Sequence, residues 1–325
     1  LGAFEVEFGR NTELGDNLRA SLILTVIISA ALAVFGKIIC MGTGTPVIGI
    51  AEMIIISVIS GTLAGILVTV VGVLVSIVCY RKFWDLDMVG APAVTTLGDI
   101  VTLPFLVMTA LLVTALPFAG KAVLGCIVLA MLLWAVISFK RGTRTMMDVL
   151  REGLPLLLPL SLLGITAGVL YTNQLDALIS AAAVLILISP FMNGCGSIGG
   201  ILTSRIGTEM HMGMIDPVLF PQKTVLKHFG ENYIYAVIFL PLMGAISHYA
   251  ALLLGITTPG LLLMVLLSLA AGLLVVTAMN LLGYYTAVIT YRRGFDPDNF
   301  GVPVVTSSID LIGATCLLAV MMLLL

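Results

Sequence analysis

Residues 296–313 read DPDNFGVPVVTSSIDLIG, and residues 85–102 read DLDMVGAPAVTTLGDIVT. A shift of 211 positions aligns the two stretches at their acidic, glycine, proline, threonine and aspartate positions. The aligned pairs are Asp85 with Asp296, Asp87 with Asp298, Gly90 with Gly301, Pro92 with Pro303, Thr95 with Thr306 and Asp99 with Asp310. Each stretch ends with a carboxylate inside an apolar segment, so the sequence predicts that one local structure occurs twice.

The composition is that of a membrane protein. Hydrophobic residues make up 60% of the 325 residues and charged residues 10%, whereas about a quarter of a soluble domain is charged. Apolar runs long enough to cross a bilayer recur along the chain, which predicts an all-α, polytopic helical membrane protein. No basic stripe with interleaved aromatic residues indicates a nucleic-acid partner, so the lipid bilayer is the expected surface partner. The predicted spans are 19–40, 46–79, 89–115, 119–139, 153–172, 175–204, 232–255, 259–291 and 300–325.

Lysine and arginine are unequally distributed between the two ends of these spans. Thirteen of the fifteen lie in one set of loops, here called the basic side, and only Lys37 and Lys121 lie in the opposite set. By the positive-inside rule the basic side faces the cytoplasm. The sequence therefore predicts a multi-pass protein of the plasma membrane whose C-terminus lies outside. The thirteen residues are Arg10, Arg19, Arg81, Lys82, Lys140, Arg141, Arg144, Arg151, Arg205, Lys223, Lys227, Arg292 and Arg293.

The repeat extends beyond the two quoted stretches. At the same offset Tyr80-Arg81-Lys82 matches Tyr291-Arg292-Arg293, Gly61 matches Gly272 and Gly72 matches Gly283. Thr12-Glu13 resembles Thr208-Glu209 at an offset of 196, so residues 1–15 read as the end of a further helix. If the halves match, roughly 40 residues of the first half are expected before Leu1.

The span at 119–139 has no counterpart in the other half. Two directly joined units of five spans would be inverted relative to each other, and one extra crossing restores a common orientation. The sequence therefore predicts two parallel pseudo-repeats of five transmembrane helices, joined by an extra helix and incomplete at the N-terminus. The expected divisions are 1–115 for the first repeat, 116–150 for the linker helix with a cytoplasmic loop, and 151–325 for the second repeat.

Asp99 and Asp310 are expected near the middle of the membrane. Each follows an aspartate near the start of its span by twelve residues, about 18 Å along a helix and near the middle of a ~30 Å hydrocarbon core. A carboxylate at that depth is costly in lipid and should face a protein-lined aqueous path. The alternative is a protonated or hydrogen-bonded aspartate that packs between helices.

Hydroxyl groups accompany both aspartates. Thr95 and Thr96 precede Asp99 by four and three residues, and the same positions before Asp310 hold Thr306 and Ser307. Three oxygen-bearing side chains therefore share one helix face in each half. Two such faces suit a hydrated Mg²⁺ ion, which keeps several waters and takes one or two carboxylates.

The aspartates that open the two stretches have two interpretations. Asp85, Asp87, Asp296 and Asp298 could form an acidic mouth that attracts cations on the basic side. They could equally cap their helices and oppose the helix dipole, and both roles can coexist. The prolines that come seven residues before the central aspartates either start their helices or kink them.

A glycine-rich segment at 190–213 reads PFMNGCGSIGGILTSRIGTEMHMG. Its glycines would let helices approach closely, and Asn193 and Ser197 are candidate ion-binding residues because a polar side chain in lipid needs a partner. Arg205 and Glu209, spaced i,i+4, are predicted to form an ion pair.

The sequence gives no indication of an enzyme. The three histidines share no metal-ligand spacing, His211 and His228 are interpreted as loop residues, and no nucleophile triad or nucleotide-binding motif is present. The five cysteines lie in or at the ends of apolar segments without CxxC spacing, so they are interpreted as packing residues.

The stretches DPDN…P…T…D at 296–310, its degenerate copy at 85–99 and PFMNGCGSIGGILTSR at 190–205 together resemble the MgtE-type divalent cation transporters. The fused form is similar to solute-carrier family 41 and its archaeal relatives. The resemblance implies a five-helix unit used as a pair, which conducts Mg²⁺ between the units with Asp99 and Asp310 as ligands. Two positions depart from the family pattern. Ser197 stands where the family has Asn, and Met88 replaces the residue that Asn299 keeps.

Together the residues and the resemblance favour a divalent cation channel or transporter for Mg²⁺, with Mn²⁺ or Co²⁺ as other candidate ions. The alternative is an H⁺- or Na⁺-coupled secondary transporter of another solute that uses the same aspartates. A third reading gives the aspartate pair a purely structural role. One chain supplies both halves, so a monomer suffices, and a homodimer stays open, as do the coupling ion and the direction of transport.

Overall fold

The computed structural model describes residues 12–44, 47–84, 86–294 and 297–324. At residues 13, 86–89, 91–92, 95 and 297–299 it describes the backbone alone. The helices of this part of the chain are α1 (Glu13–Thr43), α2 (Ile50–Lys82), α3 (Leu86–Ala115), α4 (Phe118–Lys140), α5 (Arg144–Asn173), α6 (Leu175–Ser180), α7 (Ala182–His211), α8 (Lys223–Leu253), α9 (Leu261–Arg292) and α10 (Pro297–Leu324).

Nine of the described helices are long and apolar enough to cross a membrane. They coincide with the nine predicted spans, so the prediction of an all-α, polytopic membrane protein is confirmed. Helix α9, with 32 residues, is about 48 Å long, whereas the hydrocarbon core is about 30 Å thick. Helices of this length extend past the core, which explains why several begin or end outside the apolar runs.

Three predicted boundaries were wrong. The span predicted at 175–204 is interrupted at Ala181, which separates the short α6 from α7. Helix α8 begins at Lys223, nine residues before the apolar run, because its polar first turns pack on α7. Thr12 caps α1, and its Oγ1 accepts a 3.2 Å hydrogen bond from the Gly15 amide. Residues 13–15 therefore belong to α1, and the rest of the predicted preceding helix lies outside the described residues.

The chain divides into two compact units, Leu1–Leu162 and Leu163–Leu325, and the division falls within α5. In unit 1, α2 packs against α1, α3 and α4 around a buried apolar core. In unit 2, α7, α8, α9 and α10 pack around a larger core. Representative core residues are Ile23, Val58, Val113 and Val128 in unit 1 and Leu187, Phe191, Leu240, Val275 and Leu317 in unit 2.

The first three helices of unit 1 correspond in position to the last three helices of unit 2. Helices α1, α2 and α3 begin at residues 13, 50 and 86, and α8, α9 and α10 begin at 223, 261 and 297, so the offset is 210 for the first pair and 211 for the others.

The same hydrogen bond joins the first two helices of each set. Ser57 Oγ on α2 donates to the carbonyl oxygen of Ser29 on α1 at 2.7 Å. Ser268 Oγ on α9 donates to the carbonyl oxygen of Leu240 on α8, also at 2.7 Å. Donors and acceptors are both 211 residues apart. A glycine also faces each acceptor residue, because a Cβ on Gly61 would meet Ser29 and one on Gly272 would meet Leu240.

Candidate cation site

Helix α10 carries Asp310 beside its packed face. Val305 and Ile309 are 0% and 1% exposed and belong to the unit 2 core, whereas Asp310, the next residue, is exposed. Successive helical residues point about 100° apart, so the carboxylate lies at the edge of the packed face. Thr306 and Ser307, one turn earlier, are half-buried. The three oxygen-bearing side chains thus follow one strip of α10.

Both central aspartates occupy the same place in their helices. Thirteen residues separate Pro297, the first residue of α10, from Asp310, and thirteen separate Leu86, the first residue of α3, from Asp99. At 1.5 Å per residue each carboxylate lies about 20 Å along a helix that crosses the membrane. Both residues are exposed on the surface of their own unit.

Glycines of α7 let α10 approach closely in unit 2. A Cβ on Gly196 would lie 3.8 Å from Ile309 Cδ1, and one on Gly199 would lie 2.8 Å from Val305 Cγ1. These contacts run in opposite directions along the two helices, so α7 and α10 are antiparallel. Ser197 follows Gly196 and Asp310 follows Ile309, which places Ser197 near the depth of Asp310 on the neighbouring helix.

Asn193 lies one turn from Ser197 on α7, and both side chains are half-buried. The structure therefore brings the predicted residues of unit 2 onto two helices in contact, α7 and α10. Thr306 Oγ1 donates to the carbonyl oxygen of Val302 at 2.9 Å. That bond uses its proton and leaves oxygen lone pairs that can accept a hydrogen bond from a water of a hydrated ion.

Helix α5 supplies two neighbours of Asp310 that sequence reasoning missed. A Cβ on Gly164 would lie 3.7 Å from Asp310 Oδ2, an ordinary van der Waals contact, so this glycine places α5 directly beside the carboxylate. Tyr171, two turns further along α5, lies close enough to Asp310 to interact with it electrostatically. No local pattern in the sequence relates Gly164 or Tyr171 of α5 to a carboxylate 146 or 139 residues later. The glycines of this apolar span were the available signal.

In unit 1, Asp99 lies on α3, which packs against α2. A Cβ on Gly98 would lie 3.8 Å from Val68 Cγ2, and one on Gly72 would lie 3.7 Å from Val94 Cγ2. Asp99 and Thr96 are exposed. Among the described residues, unit 1 has no counterpart of α7 beside its aspartate.

Several predicted site residues lie outside what the structure describes. Asp85 and Asp296 are outside the described residues, and only the backbone is described at Asp87, Asp298 and Thr95. Both interpretations of these aspartates, as an acidic mouth and as helix caps, therefore stay predictions. The proline seven residues before Asp310, Pro303, lies in the interior of α10 and does not start it.

Within the described part of the chain, no three histidine, cysteine, aspartate or glutamate side chains converge to hold a metal ion. Unit 2 offers one carboxylate with hydroxyl and amide neighbours, and unit 1 offers one carboxylate with a hydroxyl neighbour. That set fits a hydrated ion better than a dehydrated one.

The predicted ion pair between Arg205 and Glu209 was wrong. Arg205 Nη1 binds Glu231 Oε2 of α8 at 2.9 Å, and Glu209 Oε2 lies 3.0 Å from His228 Nε2. The other ring nitrogen, Nδ1, lies 3.3 Å from Glu231 Oε2. His228 is 8% exposed and lies in α8, so its interpretation as a loop residue was also wrong. The contact between α7 and α8 replaces the local pairing because it gives each carboxylate a nitrogen partner on the other helix.

His211 was likewise misinterpreted. It is the last residue of α7, and its ring packs edge-on against Tyr291 with centroids 5.1 Å apart. At the opposite, lysine-poor side of unit 1, Lys121 Nζ binds Glu52 Oε1 at 2.6 Å and ties α4 to α2.

The sequence profile of the MgtE family, described as divalent cation transporters, matches residues 3–109 and 188–320. The chain belongs to the MgtE divalent cation transporter family. The MgtE family is one of transporters and not of enzymes. Asp99, Asn193, Ser197 and Asp310 fall within the matched ranges, whereas α4 and Gly164 fall between them.

A curated relative is solute carrier family 41 member 3 of the mouse, Mus musculus, which is 27% identical over 262 residues. The match covers 73% of this chain and 51% of the mouse protein, so the chain spans about half the length of the curated relative it matches. No solved structure matches the chain.

Proposed function

We propose that this chain carries a divalent cation across the plasma membrane, with Mg²⁺ as the favoured ion and Mn²⁺ or Co²⁺ as other candidates. Asp99 and Asp310 act as the central ligands of a hydrated ion, and the ion path runs between the two repeats. Membership of the MgtE family supports cation transport. The choice of Mg²⁺ follows from the ligand set, because Mg²⁺ keeps several waters and needs few carboxylates.

The observation that carries this proposal is the shared position of the two aspartates. Each lies thirteen residues into a membrane-spanning helix, and each is exposed on its own unit. A carboxylate exposed to lipid at that depth costs at least ~2.5 kcal/mol, so a water-lined path is the environment that fits both.

The oxygen-bearing neighbours complete the proposed site. Thr306 and Ser307 on α10 and Asn193 and Ser197 on α7 would bind the waters of the ion and not the ion itself. Thr95 holds the position in unit 1 that Thr306 holds in unit 2. Hydrogen bonds to bound water need no tight convergence of side chains, which agrees with the absence of a chelating cluster among the described residues.

We also propose the repeat architecture predicted from the sequence, with repeats at 1–115 and 151–325 and a linker region at 116–150. Two observations support it. The helix starts correspond at offsets of 210 and 211, and the serine-to-carbonyl bonds of Ser57 and Ser268 are equivalent. A single chain would then supply both halves of the site. The basic side faces the cytoplasm and the C-terminus lies outside. We propose from their place in the sequence that Asp85, Asp87, Asp296 and Asp298 attract cations at the cytoplasmic end of the path, with helix capping as the alternative or additional role.

Flux measurements in liposomes test the proposed site. The full chain is reconstituted around a Mg²⁺-sensitive dye, and an inward Mg²⁺ gradient is imposed. Asp99→Asn and Asp310→Asn each remove one charge at constant shape and should lower the flux at least about tenfold. Asp176→Asn, at an exposed aspartate in the short α6, is the matched control and should leave the flux unchanged.

Two further comparisons separate the proposal from its alternatives. Unchanged flux in both central variants would contradict the role of the aspartates, provided that all proteins elute as folded species. Mg²⁺ flux that persists without Na⁺ or pH gradients argues against coupled transport of another solute. Loss of folding in both variants would instead assign the pair a structural role.

A further inference from the structure

A cavity on the basic side of unit 1 is unrelated to the central aspartates. Its volume is about 380 Å³, and it lies between the first turns of α1, the last turns of α4 and the loop that leads into α5. Its polar lining includes Asp16 and Arg19 of α1, Arg141 and Thr143 of the loop, and Trp134 of α4 stands beside them. We call it the Asp16 pocket.

A buried carboxylate organises the Asp16 pocket. Asp16 is 3% exposed, and its Oδ2 accepts a 2.6 Å hydrogen bond from Thr143 Oγ1. This bond joins α1 to the loop after α4. The other oxygen, Oδ1, has no hydrogen bond among the described residues, and Arg19 Nη1 lies 3.9 Å from it. The carboxylate therefore positions the loop but pairs only loosely with Arg19.

The pocket lining carries a net positive charge. Arg19 has a side chain that is 40% exposed, and Arg141 is exposed. Two guanidinium groups stand against one carboxylate, which leaves a cationic pocket. Arginine binds phosphate through paired hydrogen bonds, and basic pockets between membrane helices on the cytoplasmic side bind lipid headgroups.

Apart from Ser138, the remaining lining is apolar and continues onto the exposed surface of α4. Trp134 and Ile137 are 44% and 51% exposed and border the two arginines. Tryptophan is typical of the interface between headgroups and hydrocarbon. A ligand that fills this pocket therefore has an anionic end and an apolar end. Inorganic phosphate satisfies only the first requirement, and a phospholipid satisfies both.

We propose that the Asp16 pocket binds the phosphate group of an anionic phospholipid from the leaflet on the basic side. Arg19 and Arg141 bind the phosphate, and one acyl chain follows Trp134 and Ile137. Asp16 holds the loop in place through Thr143 and limits the affinity, because its negative charge opposes that of the phosphate. The family match does not extend to α4, so the site joins a family helix to a helix outside the matched ranges.

The two tryptophans of the chain, Trp84 and Trp134, allow a direct test. A Trp84→Phe variant retains Trp134 as the reporter, and a Trp134→Phe variant retains Trp84, which lies at the surface with Lys82 Nζ 5.0 Å from its ring centroid. Each variant is reconstituted with brominated phosphatidylglycerol or brominated phosphatidylcholine, and fluorescence quenching is measured in 0.5 M NaCl to screen general surface attraction.

From the quenching of Trp134, the apparent affinity for phosphatidylglycerol should be at least about fivefold higher than that for phosphatidylcholine. The preference measured from the quenching of Trp84 should be smaller. Arg19→Gln combined with Arg141→Gln should abolish the preference. Asp16→Asn should raise it about fivefold, because the amide can still accept from Thr143 while the repulsion is removed.

Equal quenching by the two lipids at Trp134 would overturn the proposal, and so would a preference that survives the double arginine substitution. Displacement of the brominated lipid by inorganic phosphate would overturn the lipid assignment in favour of a soluble phosphate compound. The opposite directions expected for the arginine and Asp16 variants ensure that simple loss of folding cannot imitate the result.

Discussion

The hydroxyl of Ser268 donates a 2.7 Å hydrogen bond to the carbonyl oxygen of Leu240, and this bond ties α9 to α8. Ser268 is fully buried, and Leu240 is 1% exposed. Hydrogen bonds between membrane helices stabilise modestly, since the unfolded helices can also find partners in the bilayer. The bond nevertheless fixes the rotation of α9, because a hydroxyl reaches a neighbouring carbonyl from one helix face only.

Replacement of this hydroxyl should have matching effects in the two units. Ser268→Ala and Ser57→Ala should each lower the free energy of unfolding by about 1 kcal/mol, because each removes one interhelical hydrogen bond. The loss is modest, since the acceptor carbonyl remains part of the backbone of its own helix. Ser76→Ala is the control, since Ser76 Oγ donates to Gly72 of the same helix at 2.9 Å. Denaturation in detergent measures all three. An effect at Ser268 alone would contradict an equivalent role for the two serines.

Close approach of α7 to α10 predicts opposite effects for two glycines. Gly199→Ala places a methyl group 2.8 Å from Val305 Cγ1, so we expect destabilisation by about 1–3 kcal/mol. Gly194→Ala meets nothing within 4 Å and should stabilise the helix by about 0.5–1 kcal/mol. Melting temperatures of the two variants provide the comparison, and a rise in both would show that α7 and α10 are not closely packed at Gly199.

The closeness of Gly164 to Asp310 predicts a selective block of transport. Gly164→Leu places a bulky side chain against the carboxylate and should reduce Mg²⁺ flux at least about tenfold, because it would crowd a hydrated ion bound to Asp310. Gly168→Leu, one turn further along α5, projects where no atom lies within 4 Å and should transport normally. The liposome assay measures both variants. Equal flux would mean that the ion does not pass the Gly164 side of Asp310.

The contact between α7 and α8 predicts a large energetic coupling between Glu209 and His228. Both ring nitrogens face carboxylate oxygens, so the ring can donate to both only as an imidazolium. A double-mutant cycle with Glu209→Gln and His228→Gln should give a coupling free energy of about 1–3 kcal/mol between the two side chains.

The control for that cycle is the pair Lys227 and Glu231. Their nitrogen and oxygen are 4.0 Å apart and the lysine side chain is 78% exposed, so no measurable coupling is expected. Chemical denaturation in detergent measures both cycles. A coupling no larger for Glu209 and His228 than for the control pair would show that the buried contact does not form in solution.

Helices and their order could be predicted from the sequence because lipid imposes a uniform requirement. An apolar run of about 20 residues must form a helix that satisfies its own backbone, so hydropathy alone located nine spans. The break at Ala181 has no such signal, since neither glycine nor proline occurs there. The first turns of α8 were also missed, because hydropathy does not detect a polar segment that is helical. KTVLKHFGE is polar, and its helix is stabilised by partners on α7.

The sequence could predict relations that helical geometry decides locally, and it missed contacts that depend on another helix. The spacing of Thr306, Ser307 and Asp310 on one helix face follows from helical geometry. Arg205 and Glu209 have ideal spacing for an ion pair, yet Glu231 takes the arginine, because a tertiary contact can replace a local one worth only about 0.2–0.5 kcal/mol. The neighbourhood of Gly164 and Asp310 depends wholly on packing.

The equivalent bonds of Ser57 and Ser268 have a consequence for the divergence of the two halves. Their donors are identical side chains, but their acceptors are backbone carbonyls of a serine and a leucine. Substitution at an acceptor position leaves the bond intact, whereas loss of the hydroxyl breaks it. The bond itself therefore places no requirement on the side chains at residues 29 and 240, which packing alone constrains, whereas it requires serine or threonine at residues 57 and 268. When the two halves are aligned, residue identity therefore reveals the matching serine donors but not the matching carbonyl acceptors.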